Sequence, residues 1–232
     1  MQPEGGHSGD ALPMIRGVIF DLDGVLLDSM RIWENLGCQY LQTHGITPEA
    51  GLSDLLFSMS MEQGAEYLSR NYPLEMPPET VNEGLQELLR DFYYNLVQPK
   101  PGAQALLRFL AAKGIPMAAA TSSPRTHVIH ALKRTGLLPF LSPILTTSEL
   151  NTSKHEPRIY LDAACALDTA PKETLVLEDS LYALRTAKAA GFRTIGILDL
   201  RGEPNQQGLQ AEADCYLTSL LRFSAYWDSL NQ

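Results

Sequence analysis

The sequence predicts an α/β protein in which a Rossmann-like parallel sheet is sandwiched by helices and carries an inserted α-helical domain. Two observations predict this class. The first expected strand, residues 15–20, is apolar on consecutive residues instead of alternating, as a parallel strand covered on both faces is. From residue 103 onward, strand-like and helix-like stretches alternate, which implies βα units with helices on both faces of one sheet.

The stretch that follows the first strand contains no convincing strand, and its helical periodicity predicts an inserted domain. Its first helix begins at Asp28 or Ser29, either of which can cap it, and Gly45 ends it. Two further helices are expected over residues 60–70 and 78–97, separated by proline-containing breaks. We therefore expect three segments: a flexible tail over residues 1–14, a core over 15–28 and 99–232, and a helical cap domain over 29–98.

The second half of the chain supplies the rest of the core. A rigid, turn-rich linker at residues 99–102 returns the chain to the sheet. The strand at 116–120 is expected from its position, because its alanines have poor strand propensity. In such sheets ligands bind at the carboxyl ends of the strands. The other expected elements are helices over 103–113, 124–135, 156–166, 180–190 and 219–229, and strands over 144–145, 174–177, 194–197 and 215–217.

The composition is that of an ordinary globular protein and excludes several partners. The formal net charge is −9 and there is no basic run, which argues against nucleic acid or an anionic membrane surface as the main partner. Cys38, Cys165 and Cys215 match neither a disulfide framework nor a zinc site, and no apolar run is long enough to span a membrane. The polar, glycine-rich start lacks the apolar region of a secretion signal. We expect a cytoplasmic protein, a monomer or a weak homodimer.

Two carboxylates follow the first predicted strand. Asp21 and Asp23 stand two residues apart and Gly24 comes next, where a buried strand meets solvent. Carboxylates this close repel each other unless a divalent cation joins them or one stays protonated. Mg²⁺ is commonly held by one or two carboxylates together with substrate phosphate oxygens, and a glycine permits close approach of the backbone to a ligand. A turn with solvated acids explains the same motif taken alone.

Three further polar features lie next to predicted strands or helix starts. A helix N-terminus with free N–H groups binds phosphate readily, and additional acids at an acidic site need a cation to offset their repulsion. Helix capping or a solvated charge explains each feature by itself, but a parallel sheet would bring all of them to one edge. They are the hydroxyl run Thr121-Ser122-Ser123, the lysine Lys154 and the acidic pair Glu178-Asp179.

The order and spacing of these features resemble the haloacid dehalogenase superfamily of phosphohydrolases, in its β-phosphoglucomutase-like branch. The segment FDLDGVLLDS at residues 20–29 is similar to the first motif of that family, and Thr121 to its second-motif hydroxyl. KHEPRIY at residues 154–160 is similar to the third motif, and EDS at 178–180 to the fourth. The resemblance covers residues 15–199 and implies a HAD-like core, with the helical stretch where this branch carries its cap.

The resemblance also implies a mechanism. Asp21 would attack phosphorus and become an aspartyl phosphate, while Asp23 would act first as general acid and then as base. Lys154 and Thr121 would neutralise and orient the phosphoryl oxygens. Mg²⁺ is the implied cofactor, with these expected ligands: Asp21, the backbone carbonyl of Asp23, Asp179 and, as ligand or support, Glu178.

The helical cap would choose the substrate. Phe57-Ser58-Met59-Ser60 resembles the specificity loop of this branch. Sugar-phosphate mutases of the branch carry an arginine just after that loop, and Met61-Glu62-Gln63 offers none. We therefore expect a phosphatase for a small phosphorylated metabolite, a sugar or related phosphomonoester, with a mutase as the alternative. The residues expected to bind substrate or phosphate are Gly24, Trp33, Ser58, Thr121, Ser122, Ser123 and Lys154.

Three departures from the family pattern motivate another alternative. His155 replaces the usual proline after the motif lysine, Arg158 replaces the usual aspartate, and Ala183 stands where glycine is usual. These changes are compatible with a non-catalytic binding protein on the same fold. The intact acids and Lys154 argue against that reading.

Overall fold

The structure is a computed structural model that describes residues 14–57 and 59–230. Nearly all of the predicted tail, residues 1–13, and the predicted substrate residue Ser58 lie outside the described residues. The six strands are β1 (Gly17–Phe20), β2 (Met117–Thr121), β3 (Ile144–Thr146), β4 (Thr174–Glu178), β5 (Arg193–Ile197) and β6 (Cys215–Leu217). They form one parallel sheet in the order β3-β2-β1-β4-β5-β6, which confirms the predicted α/β class.

β1 lies between β2 and β4 inside the sheet, and every residue in it is buried, as in a parallel strand covered on both faces. Phe20 pairs with Ala119 of β2 on one side and with Leu177 of β4 on the other. The strand order reverses between β2 and β4, so β1 is the topological switch point of the sheet. The residues that follow β1, β2 and β4 therefore emerge side by side at one edge.

Between β1 and the next core helix, every helix or strand that the structure describes is a helix. Residues 29–98, here called the helical insertion, contain α1 (Met30–Thr43), α2 (Leu52–Phe57), α3 (Met61–Asn71), α4 (Pro78–Asp91) and a π-helical turn at Phe92–Leu96. The short α2 was not expected from the sequence, because six residues carry too little periodicity to identify a helix. The helix expected over 78–97 is α4 followed by the π-helical turn.

Specific residues at the N-termini of α3 and α4 favour the start of these two helices. Ser60 caps α3 in a reciprocal box with Gln63, and Pro78 occupies the first position of α4. Ser29 occupies the expected N-cap position before α1, but its side chain forms no capping hydrogen bond. Its hydroxyl instead donates a 2.6 Å hydrogen bond to Asp23 Oδ1.

The remaining helices cover the two faces of the sheet. Within residues 14–57 and 59–230, no helix is both long and apolar enough to cross a membrane. The short helices α7 (Thr147–Leu150) and α10 (Gln206–Glu212) were not expected, and each begins with a side-chain cap, from Thr146 and Asn205. The helices are α5 (Ala103–Ala112), α6 (Arg125–Arg134), α7 (Thr147–Leu150), α8 (Arg158–Ala166), α9 (Leu181–Ala189), α10 (Gln206–Glu212) and α11 (Phe223–Leu230).

Candidate active site

The turn after β1 presents the first two candidate acids. The backbone N–H of Asp21 donates to the carbonyl of Leu177 at 3.0 Å, which extends the sheet pairing by one residue and points the acid at the sheet edge. Gly24 follows with φ of +75°, a conformation that L side chains rarely adopt. The ammonium of Lys100 donates to the carbonyl of Gly24 at 2.6 Å and to Asp199 at 3.0 Å. Lys100 thus links the turn after β1 to Asp199, which follows β5.

Lys154 is buried between two carboxylates. Its Nζ donates to Asp21 Oδ1 and, at 2.7 Å, to Glu178 Oε1, and the phenol of Tyr160 donates to the same Glu178 oxygen at 2.7 Å. Burial opposes the charged form of Lys154, yet the charges of Asp21 and Glu178 raise its pKa above the ordinary value. Lys154 is therefore a permanent cation beside the candidate nucleophile.

The carboxylates outnumber that cation. Burial raises the pKa of Asp21 to about 8, with contributions from the charges of Glu178 and Asp23, although Lys154 opposes the shift. Burial, followed by the charges of Asp21 and Glu178, raises the pKa of Asp179 well above its ordinary value. The cluster therefore resists holding all its negative charges at once and needs further positive charge.

The same cluster fits a hard divalent cation. One oxygen from each of Asp21, Glu178 and Asp179 lies within 4.8 Å of the others, and all three residues are buried. Glu178 Oε2 is buried and has no hydrogen-bond partner among the described residues. A Cβ on Gly24 would lie 2.1 Å from Asp179 Oδ2, so the backbone leaves room for that carboxylate only because residue 24 is glycine. Carboxylate oxygens in a buried, electron-rich site are the donors that Mg²⁺ prefers.

Asp23 points away from the acidic cluster and is held by three hydroxyl groups. Ser29 donates to its Oδ1 at 2.6 Å, and Ser123 donates to its Oδ2 at 2.6 Å. Tyr93, a fully buried residue of the helical insertion, donates to Oδ1 at 2.5 Å and accepts at 3.1 Å from the indole N–H of Trp33. The side chain of Asp23 is therefore oriented by both the core and the insertion.

The hydroxyl run after β2 divides into two roles. Ser122 and Ser123 line the cavity described below. Thr121 is fully buried at the end of β2 and is not among the described lining residues; its Oγ1 accepts a 3.0 Å hydrogen bond from the N–H of Ser123. Thr121 thus shapes the turn that presents the two serines.

A cavity of about 510 Å³ lies between the sheet edge and the helical insertion. The sequence-predicted site residues Asp21, Asp23, Trp33, Ser122, Ser123, Lys154, Glu178 and Asp179 line it. Residues around 202–204 complete its rim. The structure thus brings together residues from the segments that follow five strands, β1 to β5, and from the insertion.

Three site residues could not be identified by the sequence analysis. Tyr93 belongs to no recognisable motif, and a tyrosine in an amphipathic helix usually indicates core packing. Lys100 belongs to a linker that was interpreted only as a rigid turn. Tyr160 lies within the third motif, but its bond to Glu178 depends on how α8 packs on the sheet. A lone lysine in a proline-rich linker was the one available signal.

None of the three departures from the family pattern forms a described contact with the acidic cluster. The ring of His155 stacks on Tyr182 with centroids 4.3 Å apart, and Arg158 pairs with Asp162 at 3.6 Å on the exposed side of α8. Ala183 is fully buried in α9. None of these side chains hydrogen-bonds to Lys154 among the described contacts.

Comparisons with known proteins agree with this architecture. A profile of the family described as "Haloacid dehalogenase-like hydrolase" matches residues 18–197. Hexitol phosphatase A of Escherichia coli (strain K12) is 30% identical over 191 residues, which cover 78% of this chain and 82% of that protein. The phosphorylated carbohydrates phosphatase of Thermotoga maritima is 25% identical over 181 residues, which cover 78% and 84%.

A solved structure shares the whole fold. The HAD family hydrolase from Deinococcus radiodurans R1, determined with bound phosphate and sodium, matches with a TM-score of 0.75 and 25% identity, covering 96% of this chain and 98% of that one. The profile match includes β1, the helical insertion and β4 with its acidic pair. The chain therefore belongs to the haloacid dehalogenase-like hydrolases.

Proposed function

We propose that the protein is a Mg²⁺-dependent phosphatase that hydrolyses small phosphomonoesters through an aspartyl phosphate at Asp21. One observation carries the proposal: Asp21, Lys154 and the buried acidic cluster meet at one end of a cavity large enough for a small metabolite. The relatives named as phosphatases of hexitols and phosphorylated carbohydrates support the same reaction class.

The first step uses Asp21 as the nucleophile. A carboxylate oxygen attacks phosphorus while the bond from phosphorus to the alcohol oxygen breaks, which leaves the phosphoryl group on Asp21. Lys154 donates to Asp21, so its ammonium is positioned to neutralise charge on the phosphoryl oxygens. When bound by Asp21, Glu178 and Asp179, Mg²⁺ supplies the charge that lets an anionic nucleophile approach an anionic phosphate.

Asp23 handles the protons of both steps. In its acid form it gives a proton to the departing alkoxide, and as a carboxylate it then takes a proton from the water that attacks the aspartyl phosphate. The second step releases inorganic phosphate and restores Asp21. The hydrogen bonds from Ser29, Tyr93 and Ser123 support this role because they fix the orientation of the carboxyl group.

The test measures hydrolysis of p-nitrophenyl phosphate with Mg²⁺, with EDTA, and with Mg²⁺ restored. We expect activity to require Mg²⁺ and to fall at least 1,000-fold in Asp21→Asn, because no other group can replace the nucleophile (order of magnitude). Asp54→Asn is a matched control, since Asp54 is an exposed acid on α2. Wild-type turnover by Asp21→Asn would reject the mechanism.

The mutase alternative makes a different demand on the site. A sugar-phosphate mutase must hold a second phosphate, yet Lys154 is the one basic side chain among the described residues that line the cavity. Addition of a sugar bisphosphate should therefore leave product formation unchanged. Isomerised sugar phosphate that appears only with bisphosphate would favour the mutase instead. A non-catalytic binding protein would show no Asp21-dependent turnover of any phosphomonoester.

A further inference from the structure

We propose that the preferred substrate is the phosphomonoester of an apolar alcohol, an alkyl or arylalkyl phosphate, and not a polyol phosphate. This inference rests on the proposed phosphatase function and names its substrate class. The cavity has two chemically distinct walls: the sheet edge contributes the polar residues that would handle phosphate, and the helical insertion contributes the wall that would contact the leaving alcohol.

The wall from the insertion is apolar. Met30, Trp33, Leu56, Met59 and Met61 line it, and all five are partly exposed. They belong to α1, the end of α2 and the segment that begins α3. Three of the five are methionines, whose unbranched side chains adapt to apolar ligands of different shape. This wall gains free energy when it is covered by carbon and hydrogen atoms.

The polar side chains that the described part of the insertion contributes to the lining, Ser60 and Trp33, are already bonded within the protein. Ser60 Oγ accepts from the N–H of Gln63, and the indole N–H of Trp33 donates to the Tyr93 phenol at 3.1 Å. At the rim, the carboxylate of Glu203 accepts two backbone N–H groups at 2.7 and 2.8 Å. A sugar or polyol would therefore place hydroxyl groups against an insertion wall whose described side-chain donors and acceptors are engaged.

The charged side chains of the cavity lining also favour a neutral alcohol over a charged leaving group. Lys154 is the one basic residue among the described lining residues, and it lies at the phosphate end, bonded to Asp21 and Glu178. The insertion wall contributes no ionised side chain to the described lining. A leaving group with a carboxylate or a second phosphate would have no counter-charge, so a neutral alcohol is favoured.

These contacts set the expected selectivity. Each methylene that the wall covers should raise kcat/KM by up to about fourfold. Each hydroxyl buried without a partner should lower kcat/KM by roughly tenfold. Hexyl phosphate and sorbitol 6-phosphate form a matched pair, because both have six carbons and they differ in the hydroxyls of the alcohol.

The experiment measures phosphate release by the Mg²⁺-loaded enzyme from ethyl, butyl and hexyl phosphate and from sorbitol 6-phosphate. We expect kcat/KM to rise along the alkyl series and to be at least tenfold higher for hexyl phosphate than for sorbitol 6-phosphate, an order-of-magnitude expectation. An equal or higher value for sorbitol 6-phosphate, or a flat alkyl series, would overturn the inference.

A substitution in the apolar wall tests whether that wall sets the substrate preference. Met61→Gln keeps the length of the side chain but adds a polar amide, so it should reduce the preference for hexyl phosphate over sorbitol 6-phosphate about fivefold. Leu96→Gln is the control, because Leu96 is an exposed leucine of the insertion outside the cavity lining, and it should leave the preference unchanged. An unchanged preference for hexyl phosphate in Met61→Gln would contradict the inference that the apolar wall sets the selectivity.

Acetyl phosphate separates failure of this inference from failure of the proposed function, because its small acyl group hardly reaches the apolar wall. If acetyl phosphate is hydrolysed with dependence on Asp21 and the polyol is preferred, the inference fails and the phosphatase stands. If no phosphomonoester and no acetyl phosphate is hydrolysed, the proposed function fails and the inference falls with it.

Discussion

The phenol of Tyr93 donates a 2.5 Å hydrogen bond to Oδ1 of Asp23, although the two residues are 70 positions apart in the chain. Tyr93 belongs to the π-helical turn at the end of the helical insertion, whereas Asp23 belongs to the turn after the central strand. The proposed acid–base group is thus held by the same part of the protein that we propose contacts the leaving alcohol. In that proposal, this bond would connect the position of the insertion to proton transfer by Asp23.

Tyr93→Phe tests that connection. The variant keeps the ring but removes the donor to Asp23, and a hydrogen bond to an ionised group contributes about 1.5–3 kcal/mol. We expect kcat to fall by roughly 10-fold with KM changed less than about threefold, because the bond orients Asp23 and does not contact phosphate. Steady-state kinetics with p-nitrophenyl phosphate measures both constants.

Tyr94→Phe serves as the matched control. Tyr94 is the next residue of the same turn, and its ring stacks on His130 with centroids 3.8 Å apart. Its hydroxyl forms no described bond to Asp23, so kcat should stay near the wild-type value. Equal losses in the two variants would indicate a general disturbance of the turn instead of a specific effect on Asp23.

Lys154→Met tests whether the lysine holds the acidic cluster together. Removal of one partner of a buried ion pair destabilises a protein by about 3–5 kcal/mol, because the other charge is left without compensation. We expect the free energy of unfolding to fall by about 3 kcal/mol at pH 8 in the metal-free protein. The loss should be smaller at pH 5.5, where Asp21, whose pKa is raised to about 8, is protonated. Urea denaturation at both pH values measures the difference; an equal loss at both would contradict the prediction.

The raised carboxyl pKa values predict how stability depends on pH and Mg²⁺. Asp21 and Asp179 bind protons more tightly in the folded protein than in the unfolded chain, where the pKa is about 3.8. The metal-free protein should therefore lose stability as pH rises from about 4 to about 8. Mg²⁺ competes with these protons, so it should stabilise more strongly at pH 8 than at pH 5.5.

Thermal denaturation measures this effect. Mg²⁺ at about 100 times its dissociation constant adds about 2.7 kcal/mol, which corresponds to roughly 5–10 °C in Tm for a protein of this size. Asp179→Asn should remove most of the shift, because it takes away one ligand and one of the repelling charges. A Mg²⁺ shift that is larger at pH 5.5 than at pH 8 would show that the wrong groups were assigned.

Gly24→Ala tests the backbone cradle of the metal site. Its Cβ would lie 2.1 Å from Asp179 Oδ2, so the carboxylate must move and Mg²⁺ binding should weaken strongly. Gly45→Ala is a close control, since Gly45 has φ of +72° and nothing lies within 4 Å of its Cβ position. Both variants should lose about 1–2 kcal/mol from backbone strain. Only Gly24→Ala should lose the Mg²⁺-induced Tm shift. A Gly24→Ala variant that keeps this shift would show that the added Cβ does not displace Asp179 from the metal site.

The sequence was informative where the chemistry is local or follows the order of the chain. Consecutive apolar residues indicated β1, and alternating helical and extended stretches indicated a parallel sheet. Because parallel strands end at one edge, the acids at 21, 23, 178 and 179 and the lysine at 154 could be assigned to one site before any distance was known. The short helices α2, α7 and α10 were missed because a few residues carry little periodicity.

What the sequence determined by itself was the identity of the fold and the residue types at the sheet edge, since both are encoded in local apolar patterns and in the spacing of motifs. Tertiary structure alone decided which side chains orient those residues. Tyr93 reaches Asp23 and Lys100 reaches the Gly24 carbonyl across 70 and 76 residues of chain, and Ser29 turns from its helix to the same aspartate. Such contacts depend on how the helical insertion packs against the sheet, and periodicity carries no information about that geometry.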